Sequence, residues 1–154
     1  MKKVLVFVVV IIIIAVIYFT GLYTYFVRTD VQEALPSPST ETSKMGVLRT
    51  GSFGEVDFIH KGSGEAKIVQ VDGKHILRLE NFNVTSGPDL YVYLSKSNAP
   101  TGDIKSLGDY VDLGLLKGTS GNQNYDISQN VEGYKTAVIW CKRYGVLFTY
   151  AVMQ

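Results

Sequence analysis

The sequence predicts an all-β domain, a β-sandwich or small barrel of seven to nine strands, behind one N-terminal transmembrane helix. Three observations carry this. No charge interrupts the largely apolar stretch between Lys3 and Arg28. From Gly46 onward, short β-branched and aromatic runs alternate with clusters of turn residues, the pattern of short strands. Two of these runs are joined by Asp72-Gly73, the residue pair that a two-residue type I′ hairpin requires.

The elements follow in order. A run as long as residues 4–27 crosses the roughly 30 Å hydrocarbon core of a bilayer as a helix. A cleaved secretory signal has an apolar region of about 7 to 15 residues that ends at a small-x-small site. Here the run is longer and ends in Tyr23, Tyr25 and Phe26, so an uncleaved anchor is expected. Lys2 and Lys3 favour the cytoplasmic side, Arg28 and Asp30 offset each other on the far flank, and the aromatic residues suit the outer interface. The expected arrangement is residues 1–3 in the cytoplasm, 4–27 across the lipid bilayer of the plasma membrane, and the remainder outside the cytoplasm.

Residues 28–45 include Pro36-Ser37-Pro38-Ser39-Thr40-Glu41-Thr42-Ser43 and show no apolar periodicity. They are expected to form a disordered tether, spanning on the order of 20 to 25 Å and holding the domain clear of the head groups. Residues 46–154 are then one extracytoplasmic domain of ordinary size.

Within it, residues 66–71 and 74–79 form the hairpin, with Leu77 and Leu79 on one face and Lys74, Ile76 and Arg78 on the other. Residues 89–94 form the next strand, with Tyr91 and Tyr93 sharing a face. Weaker strands are expected over 111–115 and around 125–127, and one helical turn over 104–108. The chain closes with strands 136–141 and 146–152, joined by a turn at Lys142-Arg143-Tyr144-Gly145. The segment Gly118-Thr119-Ser120-Gly121-Asn122-Gln123-Asn124 reads as a solvated loop, because no helix follows it to cradle a phosphate.

A net charge of +1, from 15 basic and 14 acidic residues, gives no clustered basic surface, so nucleic acid is not an expected partner. Gly-x-Ser-x-Gly is absent, which leaves a hydrolase nucleophile elbow without support. Asn83-Val84-Thr85 is a formal glycosylation acceptor.

Cys141 is the only cysteine. Outside the cytoplasm thiols usually pair, and this one has no mate in its own chain. Strand alternation puts Ala137, Ile139 and Cys141 on one face and Val138 and Trp140 on the other. Two roles stay open at this point: a small hydrophobe in a core, or a reactive thiol favoured by Lys142 and Arg143. A disulfide-linked dimer through Cys141 is a third expectation.

Four blocks carry a resemblance: Phe58-Ile59-His60-Lys61-Gly62-Ser63-Gly64, Leu77-Arg78-Leu79-Glu80-Asn81-Phe82, Gly87-Pro88-Asp89-Leu90-Tyr91-Val92-Tyr93-Leu94 and Val138-Ile139-Trp140-Cys141-Lys142-Arg143-Tyr144. In this order the chain resembles the DM-thirteen domain, found in Skeletor-type animal proteins and behind bacterial anchors. The resemblance implies a β-rich extracytoplasmic domain acting in electron transfer, possessing a cysteine, aligned with Cys141, that serves as a bare thiol or as a ligand to a prosthetic group such as haem. It also implies a redox partner protein.

Haem or copper would use thiolate with imidazole help. The chain offers His60, within a resembling block and at the start of an expected glycine-rich turn, Lys61-Gly62-Ser63-Gly64, and His75, within the hairpin; Met153 is the candidate axial ligand for copper. The close Cys-x-His spacing of cupredoxins is absent, with Lys142 and Arg143 in its place. The expected function is therefore a membrane-anchored redox module, a stand-alone enzyme being the less expected form, centred on Cys141 with Trp140 packed beside it and His60 as helper. The alternative is a non-catalytic cell-envelope binding domain whose cysteine only packs the core.

Overall fold

The structure is a computed structural model and describes residues 2–20, 23, 27–38 and 45–154. The expected continuation of the span through Leu22, Tyr25 and Phe26, and tether residues 39–44, lie outside the described residues.

Helix α1 (Lys2–Thr20) has 19 residues and none is buried. At 1.5 Å per residue it is about 28 Å long, long and apolar enough to cross a membrane. An apolar helix exposed on every side has no protein core to face.

The rest is a β-sandwich. One sheet holds β1 (Asp30–Gln32), β2 (Met45–Ser52), β3 (Gly62–Val71), β4 (Lys74–Val84) and β7 (Ser120–Ile127), in the order β1-β7-β4-β3-β2. The other holds β5 (Leu90–Ser95), β6 (Tyr110–Leu115), β8 (Thr136–Cys141) and β9 (Val146–Val152), in the order β6-β5-β8-β9. Neighbours are antiparallel except β1 and β7, which run parallel. The Asp72-Gly73 hairpin forms as expected, both residues having positive φ. Leu77 and Leu79 turn into the core between the sheets together with Phe82, Val92, Ile139, Cys141 and Phe148. Ile76 faces outward with Val69 and Val71. On the outer face of the second sheet, Val138 and Trp140 pack with Tyr93, Leu107 and Leu147. Leu107 belongs to the short 3-10 turn Ile104–Leu107, where the sequence predicts one helical turn.

Three expectations fail locally. Residues 118–124 are not a solvated loop, since β7 starts at Ser120 and alternates inward at Gly121, Gln123, Tyr125 and Ile127. Gly and Gln hide that alternation. Gln123 is buried with its amide satisfied, its Nε2 donating to Gly118 O (2.8 Å) and its Oε1 accepting from Tyr125 Oη (2.7 Å), so a polar side chain is tolerated in the core. The glycine-rich turn expected after His60 is the start of β3, bulged at Gly64, which has φ 96° and faces the backbone of Asn81 so closely that a Cβ would lie 2.5 Å from its carbonyl.

The third correction concerns the tether. Thr29 to Leu35 is bound to the domain. Thr29 N–H donates to Thr119 Oγ1 (3.1 Å), Glu33 N–H to Asn122 O (2.9 Å), and Arg78 Nη1 to Glu33 O (2.7 Å). The Glu33 carboxylate meets Lys117 Nζ at 2.8 Å, and Leu35 covers Val69, Val71 and Ile76. The reason is edge completion. β7 needs a partner for its outer edge, and buried Arg78 needs acceptors, which this segment supplies.

Candidate functional site

β8 and β5 pair so that Leu90 lies opposite Cys141. This register places the Gly87-Pro88-Asp89 turn, which leads into β5, directly against the end of β8. Cys141 has no solvent-exposed surface, and its Sγ–H donates to Pro88 O at 2.9 Å. Lys142 N–H donates to Asp89 O (3.0 Å), closing the same corner. The sulfur is shallow, because the exposed turn of residues 142–145 follows it immediately. Burial pushes the thiol above its ordinary value, and the charge of Asp89 adds to the rise; the backbone N–H groups of Tyr144 and Arg143 and the Arg143 charge pull the other way. Burial wins, so the resting state is the protonated thiol.

Costs concentrate in the neighbouring turn. Asp89 has φ 61°, a left-handed conformation uncommon outside glycine. Ser86 Oγ is the one buried side-chain oxygen among the described residues with no hydrogen-bonding partner. Such strain, collected beside one chemically distinctive residue, is characteristic of functional sites. Gly87 is obligatory here for space, since a Cβ would lie 2.5 Å from Phe148 Cζ.

His60 reaches this corner through Phe148, whose ring centroid is 4.5 Å away. Its side chain is 16% exposed, and its Nδ1 meets Asp57 Oδ2 at 2.7 Å. Asp57 Oδ1 also accepts from the backbone N–H groups of Ile59 and His60, each at 2.7 Å. Led by the His60 side chain, these bonds hold the Asp57 carboxyl down at about 2.

The other candidates are elsewhere. Trp140 does not pack beside Cys141; strand alternation sends it to the opposite face of the second sheet. His75 pairs with Ile127 and Gln70 at the far end of β4, nine residues before Val84, or about 30 Å along the strand. Met153 bonds Lys135 O, six residues before Cys141 and about 20 Å from it. Of the imidazole and thioether candidates, His75 and Met153 are thus at the other end of the sandwich from Cys141, and only His60, bonded to Asp57, stands on its side. The described residues contain no cluster of three His, Cys, Asp or Glu side chains able to hold a metal ion. Fully covered, the sulfur also offers no surface for a disulfide with a second chain.

A feature the sequence reading underuses lies on the outer face of the second sheet. Tyr91 and Tyr93 have ring centroids 6.2 Å apart, Tyr93 and Tyr110 4.9 Å. Lys142 Nζ stands 4.4 Å over the Tyr91 ring. Tyr93, Tyr110, Trp140 and Lys142 line an open cleft of about 560 Å³. Tyr91 pairs directly with Trp140, the residue before Cys141. The period-2 spacing of Tyr91 and Tyr93 signals a shared face, but nothing in the sequence brings Tyr110 to it.

A family model described as Electron transfer DM13 matches residues 52–153, more than half of the chain and nearly the whole sandwich. Comparisons with curated proteins and with solved structures return no match. On the strength of that match, the chain belongs to the DM13 electron-transfer domain family.

Proposed function

We propose that this chain is a membrane-anchored electron-transfer module in which Cys141 works as a bare thiol, without a bound metal or haem. In this reading α1 stays in the plasma membrane with the N-terminus in the cytoplasm, and the sandwich works outside it with a redox partner protein. Family membership over residues 52–153 is the observation that carries the proposal. The strained turn around Asp89 and the hydrogen-bonded Cys141 sulfur support the choice of residue.

A bare thiol has a simple electron count. Loss of one electron and one proton from S–H leaves a sulfur-centred radical, and return of both restores the thiol. Burial disfavours the thiolate, so electron and proton leave together. The electron crosses a short stretch of protein to the partner, and the proton leaves to water at the exposed turn of residues 142–145 that follows the sulfur. Tyr110, Tyr93, Tyr91 and Trp140 form a row of oxidisable rings from the surface to the strand that carries Cys141.

One observation favours a second reading, an envelope-binding domain with a structural cysteine: Cys141 is packed among Ile139, Leu90 and Phe148 like any core residue. The absorbance spectrum of protein purified from its native membrane, followed by titration with a one-electron oxidant, separates the readings. The bare-thiol reading predicts no haem or copper bands and oxidation at Cys141. Metal or haem bands would contradict it, and inertness to the oxidant would favour the binding domain.

A further inference from the structure

The chain enters the sandwich at the Cys141 end. β1 runs parallel to β7 with Asp30 opposite Ser120, and Ser120 pairs with Asn83, near the Val84 end of β4. Thr20, the last residue of α1, is nine residues before Thr29, where domain contacts begin. Nine residues span at most about 30 Å, and α1 closes this distance further. Its Thr20 carbonyl accepts hydrogen bonds from Arg143 Nη1 (3.1 Å) and Tyr144 Oη (2.8 Å), both in the turn that follows Cys141.

The same end carries a preformed apolar finger. Val56 N–H donates to His60 O (2.9 Å), and the three Asp57 bonds lock the turn between them. This turn holds Phe58 outward with 85% of its surface open and Ile59 with 47% open. Ile59 O accepts from Thr85 Oγ1 (2.9 Å), which fixes the finger beside the residue that follows β4. Arg28 lines a cleft with Glu55, Lys61 and Thr85, so the incoming chain lies against the finger's base. Leu115 (58% exposed) and Tyr144 also face outward at this end.

We infer that the Phe58–Ile59 finger inserts into the outer head-group layer of the bilayer in which α1 is anchored, fixing the domain with its Cys141 corner towards the lipid. The inference rests on the membrane reading of α1. The occupant follows from continuity: the transmembrane helix ends on this face, and nine residues of chain keep the face at the membrane. Aromatic residues favour that interface, and an immobilised Phe requires no further ordering to enter it. Arg28 and Arg143 lie at the depth of the lipid phosphates, where cations are attracted. The domain then exchanges electrons at the membrane surface, with a partner that is itself at or in the membrane.

The test uses the full chain in phosphatidylcholine vesicles with brominated acyl chains. Trp140 is the only native tryptophan and is buried, so Phe58→Trp adds one reporter at the fingertip. Lys74→Trp, at the hairpin on the opposite end, is the control. Measured against the native chain, whose buried Trp140 is the common background, the inference predicts that Phe58→Trp adds blue-shifted emission quenched by bromolipid, and that Lys74→Trp adds water-like, unquenched emission. Water-like unquenched emission from Phe58→Trp overturns it. Blue-shifted emission that bromolipid does not quench also overturns it, showing a second protein surface as the cover. Alkaline carbonate washing separates the two layers of the argument. Release of the chain from the vesicles sinks the anchor itself, whereas retention with unquenched Phe58→Trp sinks only the finger.

Discussion

Cys141 Sγ donates its proton to the carbonyl of Pro88 at 2.9 Å, tying the last residue of β8 to the turn that opens β5. The bond gives the sulfur a partner and holds the Pro88 carbonyl inward, next to the positive φ of Asp89. Serine keeps the donor and alanine does not. Cys141→Ser is expected to cost about 1 to 2 kcal/mol, through a hydroxyl buried in an apolar site. Cys141→Ala should cost somewhat more, from a small cavity and an unpaired carbonyl. Urea denaturation of both variants checks the order, and a loss of folding in the serine variant would make Cys141 a structural residue first.

Raised thiol ionisation has a signed consequence. An unfolded cysteine ionises near 9, and burial lifts the folded value above that. Between the two values the folded chain holds the extra proton, so stability is full below pH 9 and falls as pH rises through it. Tyr93, pushed up to about 12 mainly by burial, adds a fall in the same direction above its ordinary 10. Denaturant midpoints at pH 8 and pH 9.5 should drop less in Cys141→Ser than in the native chain. Equal drops would show that the thiol is not the titrating group.

The finger turn has the opposite pH sign. Asp57 is held at about 2 against an ordinary 3.8, first by the His60 side chain and then by backbone amides. Its contribution is complete above pH 3.8 and is lost as pH falls towards 2. Pepsin cleavage within residues 53–61, normalised to an unstructured peptide, should rise over that window. Asp57→Asn should be cut readily throughout it, and a native-like resistance in this variant would show that the carboxylate does not hold the loop.

Attachment of residues 29–35 depends on Gly121. It has φ 99°, and a Cβ there would lie 2.1 Å from Val31 O. Gly121→Ala should release β1 from β7 and make residues 29–38 protease-sensitive, at a cost of about 1 to 3 kcal/mol from forced backbone shifts. Mass spectrometry of the first fragments reads this. Unchanged protection of the segment would contradict the attachment.

How much of this was legible in sequence follows from where the stabilising contacts lie. The hairpin at Asp72-Gly73, the Tyr91 and Tyr93 face and the closing pair β8 and β9 were readable, because each combines local alternation with turn residues of fixed geometry. β1 was not. Asp30-Val31-Gln32 is too short to show an alternating pattern and is held as a strand because β7 lacks a neighbour and Arg78 lacks acceptors. Only the 125–127 end of β7 is readable, because glycine and glutamine occupy the inward positions before it. At the site, alternation correctly separated Cys141 from Trp140 on the two faces of β8, while the expectation that Trp140 packs beside the sulfur overrode it. The Pro88 acceptor and the Phe148 bridge to His60 arise from contacts between distant segments, which no local pattern encodes.

The most direct test of the redox assignment is protein-film voltammetry of the full chain in a supported bilayer, comparing native protein with folded Cys141→Ser. The account predicts one electron-transfer wave in the native chain, moving with pH as a proton leaves with the electron, and no such wave in the serine variant. A wave that survives the substitution would place the redox centre elsewhere and contradict the assignment to Cys141.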